Sequence, residues 1–181
     1  MSGARRLAAP DPSRPAAVPA PESVVNTVIL DSVEVRRYRL PPGSFRLPAY
    51  PGEPVISVVL VARGGFKAAT MSGARWQVSA GEGAFLHSKS EYVFQRCDET
   101  EAIIVTVPER VVHAYGARVD ETTAPVFGAR SALLAPVSAY FGSLVAASLC
   151  PDRVAKYAMS RLAEEMIGSL FLERVSLVAS L

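Results

Sequence analysis

VISVVLVARGGFKAATMSGARWQVSAGEGAFLHSKSEYVFQRCDETEAIIVTV, residues 55–107, decides the fold. It opens on VISVVLVA, a β-branched run without polar alternation, which predicts a strand buried on both faces. Gly64-Gly65 punctuates it. FKAATM and ARWQV follow, separated by Ser72-Gly73, a dipeptide suited to a tight turn. AFLHS comes after the Gly81-Glu82-Gly83 turn, EYVFQRC after Lys89-Ser90, and EAIIVTV after Asp98-Glu99-Thr100. At least six strands at roughly ten-residue spacing, with no helix between them, predict an antiparallel sandwich or barrel.

Upstream, ten of the fourteen prolines precede residue 55. Residues 1–22 form a Pro/Ala-rich tail that cannot bury enough apolar surface to order itself. SVVNTVIL and SVEVRRY read as short strands, and PPGSFRLPAYPGEP as an extended, irregular arm over the surface. In EVRRYRL, alternation places Arg37 and Arg39 on one strand face and Arg36 on the other. A charged, solvated sheet edge is the expected setting.

Downstream, Pro108 ends the strand series, and ERVVHAYG predicts a short helix closed by Gly116. SALLAPVSAYFGSLVAASL carries apolar residues at helical spacing, Leu133, Val137, Tyr140, Phe141, Leu144, Val145 and Leu149 among them. Pro136 belongs in a first turn, so this helix starts near Leu134. Cys150-Pro151-Asp152 breaks the chain, and Asp152 can cap a second helix from Arg153 to about Val178. There Val154, Ala158, Leu162, Met166 and Leu170 form an i+4 row, and the two helices make an αα-hairpin. One stripe covers the barrel; the remaining width predicts a homodimer, with Tyr140, Leu144, Leu162, Met166 and Leu170 as candidate dimerisation residues. The expected fold is therefore α+β: a cupin-like antiparallel β-barrel (jelly roll) over 23–129, then a helical hairpin over 130–181. SLVASL ends without a helix stop, which reads as a lead into further sequence.

At 181 residues, 50% hydrophobic and 20% charged, the chain suits one packed domain plus a tail. No stretch approaches about 18 uninterrupted apolar residues, and no apolar segment follows the N-terminal arginines, so neither a membrane span nor a secretory signal is expected. Cys97 and Cys150 read as reduced thiols of a cytoplasmic protein. A net charge of +2 without a basic run gives nucleic-acid binding little footing.

A catalytic metal needs about three convergent protein ligands. The sequence offers only His87 and His113, without a His-x-His pair, and His113 lies beyond Pro108, away from His87. No Gly-x-Ser-x-Gly elbow or phosphate-cradling loop is present, so no catalytic residue, metal or cofactor is expected. A binding protein is favoured over an enzyme. Phe85 and His87 share one face of their strand; if it points into the barrel, Trp76, Phe85, His87 and Tyr92 line a cavity for one small ligand. The alternative is that these aromatics fill the core.

GARWQVSAGEGAFLHSKSEYVF resembles the glycine, arginine, turn and tyrosine passage of the N-terminal sensor domains of AraC-type regulators. IIVTVPERVV resembles the strand of that family that ends in Val-Pro-Arg before a short helix. GARSALLAPVSAYFGSLV and SRLAEEMIGSLFLERVSLVASL resemble its two dimerisation helices. Ala80 and Glu82 depart from the usual proline and aspartate, and Glu109 stands between proline and arginine. The resemblance covers about residues 30–181. It implies a cupin-like barrel sensing a small-molecule effector, a dimerisation helix pair, and a C-terminal helix-turn-helix for DNA. The 131–181 helices are too long, neutral and apolar for that last role, so DNA contact is expected only through a missing C-terminal domain. Small cupin-type enzyme and dimerisation-only remnant are the alternatives.

Overall fold

The computed structural model describes residues 24–114, 126–128, 130–147 and 152–179. The 1–22 tail, the Gly116 helix stop and Cys150 lie outside the described residues. Nine strands follow in order: β1 (Val24–Ile29), β2 (Glu34–Leu40), β3 (Gly43–Leu47), β4 (Val55–Arg63), β5 (Gly65–Thr70), β6 (Arg75–Ser79), β7 (Gly83–His87), β8 (Tyr92–Arg96) and β9 (Thr100–Pro108). Then come α1 (Glu109–His113), a short β10 (Val126–Phe127), α2 (Leu134–Ala146) and α3 (Arg153–Ala179).

The strands form two antiparallel sheets, a six-stranded one in the order β1-β2-β9-β4-β7-β10 and a four-stranded one in the order β3-β8-β5-β6. The helices add a third layer, so the larger sheet has a core on each side. VISVVLVA behaves as its composition predicts. Ile56, Val58 and Leu60 join the core under the helices, while Val59 and Val61 join the core between the sheets. β9 divides in the same way, with Ile103, Val105 and Val107 on the helix side and Ala102 on the other. Full burial of each such side chain stabilises by about 1.5–3 kcal/mol.

The turns follow the glycines. Gly81 takes φ +80°, where an L side chain is strained, and Glu82 closes the turn by accepting the Ser79 N–H at 2.8 Å. Gly83 serves a different end: a Cβ there would sit 2.5 Å from the Phe127 ring, so only glycine lets β10 pack on β7.

Two expectations change. PPGSFRLPAYPGEP is not wholly irregular, because residues 43–47 pair with β8 from Gly43↔Arg96 to Leu47↔Tyr92. Its prolines flank the paired residues, and β3 is an edge strand, where proline at the ends breaks no ladder. EVRRYRL, in turn, is not a sheet edge: β2 lies between β1 and β9. Arg37 and Arg39 meet Glu101 of β9, at 3.3 and 2.7 Å, while Arg36 turns to Glu34 at 2.5 Å. Alternation held, and the guanidinium groups are spoken for.

α2 starts at Leu134, with Pro136 in its first turn. Its buried stripe is Leu134, Val137, Phe141, Leu144 and Val145. The carboxylate of Glu173, on α3, accepts the Ala132 N–H at 2.7 Å and the Ser131 hydroxyl, which ties α3 to the start of α2. Asp152 caps α3 by accepting the Ala155 N–H at 2.8 Å. The link between the two helices falls outside the described residues.

α3 buries Ala163, Ile167, Leu170 and Phe171. The expected i+4 row does not stay on one face, because each step of four residues turns an α-helix by about 40°, and about 160° accumulates from Val154 to Leu170. Val154 is accordingly 78% exposed and Leu170 0%. Of the candidate dimerisation residues, Leu144 and Leu170 are consumed by the chain's own core. Tyr140 and Met166 pack against it half-buried, and Leu162 is exposed.

Candidate functional site

A narrow cavity of about 70 Å³ lies between the two sheets. β3 contributes Phe45, β4 Ser57 and Val59, β7 Leu86, β8 Phe94, and β9 Ala102 and Ile104. The middle is thus apolar and aromatic: Phe45 stacks on Phe94 at 4.7 Å, and Phe66 meets Phe94 edge-on at 5.5 Å.

The polar groups sit at its two ends. At one end are His87, Ser88 and Tyr92. The Tyr92 hydroxyl accepts the His87 N–H at 2.9 Å, and Ser88 Oγ accepts the Val55 N–H at 2.9 Å. The Tyr50 N–H reaches the Ser88 carbonyl at 2.7 Å, and Lys89 Nζ donates to the Gly52 carbonyl at 2.8 Å. Residues 50–55 are thereby pinned across this end.

At the other end stand Thr100 and Arg96. Arg96 shares the inward face of β8 with Tyr92 and Phe94 by strand alternation. Its Nε donates to the Pro41 carbonyl at 2.9 Å, and its guanidinium lies 4.9 Å from the centre of the Phe45 ring. Arg96 is half-buried, and its Nη1 is buried with no hydrogen-bond partner among the described residues. Burial with no neighbouring carboxylate pulls the Arg96 pKa below its ordinary value.

Of the four residues expected to line the cavity, His87 and Tyr92 do. Phe85 does not. It lies in the core under the helices, 4.8 Å from the Phe127 ring and 4.9 Å from that of Phe171, while Ala84 and Leu86 face the other sheet. Both faces of β7 are buried, so aromatic character could not tell which core Phe85 enters. Trp76 packs at the margin of the inter-sheet core, edge-on to Tyr92 at 5.9 Å, and opens onto a shallow depression with Lys67 and Gln77.

His87 and His113, expected to lie apart, converge on one carboxylate. Glu109 Oε1 is 3.2 Å from His87 Nε2 and 3.3 Å from His113 Nε2. His87 Nδ1 accepts the Lys89 N–H at 3.3 Å, which assigns the proton of the neutral ring to Nε2, where it is donated to Glu109. β7 and β9 flank β4, so the end of β7 meets the start of α1, and one helical turn then stacks His113 over Glu109. Among the described residues no group of three His, Cys, Asp or Glu side chains is arranged to hold a metal ion.

Sequence reasoning missed Glu109 and Arg96. Glu109 required the tertiary fold. Arg96 was readable, because in YVFQR it is the charged residue on the strand's apolar face.

A family model described as an AraC-binding-like domain matches residues 3–172. The chain belongs to that family. It thus shares the ligand-binding domain of AraC-type regulators, the resemblance seen in the sequence. No curated protein matches this chain in sequence. Among solved structures it is similar to the AraC-like transcriptional activator CuxR, at 12% identity and a TM-score of 0.68. The match covers 81% of this chain and 54% of CuxR, so the chain spans about half the length of that structure. Looser matches are the EutQ protein of Clostridium difficile (TM-score 0.37, 19% identity, 42% of this chain and 53% of that one) and a cupin-2 domain protein of Shewanella frigidimarina (TM-score 0.39, 15% identity, 46% and 78%). At 12% identity the CuxR match speaks for the fold alone. Among the described residues no helix is long and apolar enough to cross a membrane.

Proposed function

We propose that this chain is the ligand-sensing and dimerisation part of an AraC-type transcription regulator, acting in the cytoplasm without catalysis. The observation that carries the reading is the cavity between the sheets of a chain that belongs to a ligand-binding family. Its lining is mostly apolar, with Ser57 part-way along and the remaining polar groups at the ends, the pattern of a binding site rather than of a reaction centre. The nearest acid–base groups, His87 and Glu109, are hydrogen-bonded to each other. A small-molecule effector in this site would shift the balance between arrangements of segment 48–54 and the helix layer. The closed jelly-roll barrel and the helical hairpin belong to this reading, with the exposed Val154, Tyr157 and Leu162 side of α3 as the surface that meets a second copy. DNA contact would fall to a helix-turn-helix domain outside this chain.

A thermal-shift screen of small metabolites against the wild type and Ala102→Leu, which fills the cavity, tests the sensing role. A ligand at about a hundred times its Kd adds about 2.7 kcal/mol, or about 5–11 °C for a domain this size. Stabilisation of the wild type but not of the filled variant is expected. If no compound separates the two proteins, the reading fails.

A further inference from the structure

Among the described residues, Arg96 is the one arginine or lysine that borders the cavity. It is an odd residue to place there. Its guanidinium gives one hydrogen bond to a backbone carbonyl and one face to an aromatic ring, and buries Nη1 unanswered. A buried, unpaired charged donor costs stability unless something with a negative charge meets it. No glutamate or aspartate among the described residues forms an ion pair with Arg96, whereas Arg37 and Arg39 have Glu101 and Arg46 has Glu91.

The rest of the cavity limits what that something is. One free N–H edge suits a single negative charge, not a polyphosphate. From Arg96, the walls run apolar through Phe94, Phe45 and Ile104 to Tyr92 at the opposite end. Four residues of β8 separate the two ends, about 13 Å at a rise of about 3.3 Å per residue. The cross-section is small, since a volume of about 70 Å³ is far below the roughly 300–1,000 Å³ of sites that enclose drug-sized molecules. The occupant is therefore slender, charged at one end and apolar along its length.

We propose that the cavity binds a straight-chain carboxylate, its head group paired with Arg96 Nη1 and its hydrocarbon tail lying between Phe45, Phe94 and Ile104. This rests on the sensing role of the cavity and names the chemical class of the effector. Thr100, buried and hydrogen-bonded to Gly65, borders the head-group end without competing for the charge.

The test is calorimetric titration of the wild type, Arg96→Gln and Arg96→Lys with propanoate, butanoate and pentanoate, and with the alcohol and methyl ester of each. The wild type is expected to prefer an acid over its neutral analogues by about ten- to a hundredfold, the worth of one charge-assisted hydrogen bond. Arg96→Gln should remove that preference while leaving the alcohols' affinity unchanged, which a merely unfolded or loosened variant would not do. Arg96→Lys should retain part of it. Equal binding of acids and alcohols by the wild type would mean that Nη1 is met by water, and overturns the proposal while leaving a ligand-binding cavity. Absence of binding by every acid also overturns it. The sensing role then stands or falls on the metabolite screen, because a ligand of another class stabilising the wild type over Ala102→Leu would sustain it.

Discussion

Phe85→Leu separates the two cores. The Phe85 ring is 6% exposed and sits between Phe127 of β10 and Phe171 of α3, with centroids 4.8 and 4.9 Å away. Leucine keeps the site apolar, so the loss is mostly that of two aromatic pairs, worth about 0.5–1.5 kcal/mol each, together about 2 kcal/mol. In a domain of this length that is about 4–8 °C in Tm. Urea unfolding followed by the fluorescence of Trp76, which lies in the other core, measures it without touching the probe. The double-mutant cycle with Phe171→Leu isolates the strand–helix contact, and coupling of about 0.5–1.5 kcal/mol is expected. Simple additivity of the two substitutions would refute the packing of α3 on β7, and a loss in Phe85→Leu well under 1 kcal/mol would refute the burial of the ring between them.

Three further outcomes follow from the same geometry. Asp152→Ala removes the side-chain acceptor at the start of α3 and should cost about 1 kcal/mol, seen as a fall of about 2–4 °C in Tm. Glu101, hydrogen-bonded first by Arg39 and then by Arg37, has its pKa held below the ordinary glutamate value. Its contribution is therefore present above that value and lost as pH falls through the lower folded one; Glu101→Gln should flatten the fall of Tm below about pH 4.5, and an unchanged profile would count against the pair. Leu162→Glu places a charge on the exposed side of α3 and should leave the Tm of dilute protein unchanged while shifting light-scattering mass toward monomer. A dimer that persists in that variant would move the interface elsewhere.

The succession of strands along 55–107 was legible because the turns carry their own signals, Gly64-Gly65, Ser72-Gly73 and Gly81-Glu82-Gly83 among them, and the runs between them alternate or are wholly apolar. β3 was hidden by the prolines around it, and β10 by its length of two residues. The cavity was half legible. Tyr92 was reached by strand alternation, but the same rule applied to β7 left two choices of core: helices on the outer face took Phe85, and His87, on the same face, turns its ring to Glu109. The i+4 row of α3 failed for a geometric reason, since a helix drifts off any four-residue repeat within a few turns. Glu109 could not be found at all, because only the pairing of β7 and β9 with β4 brings its carboxylate between two imidazoles.

β4 is a wall shared by two compartments. Val55, Ser57 and Val59 border the cavity, and Ile56, Val58 and Leu60 press on the helix layer, so odd and even positions of one strand belong to different compartments. Deleting a single residue there would exchange the two sets, setting isoleucine and leucine against a ligand and a serine under the helices. Such a frame slip would alter recognition and helix packing in one step, whereas point changes confined to either set should alter them one at a time.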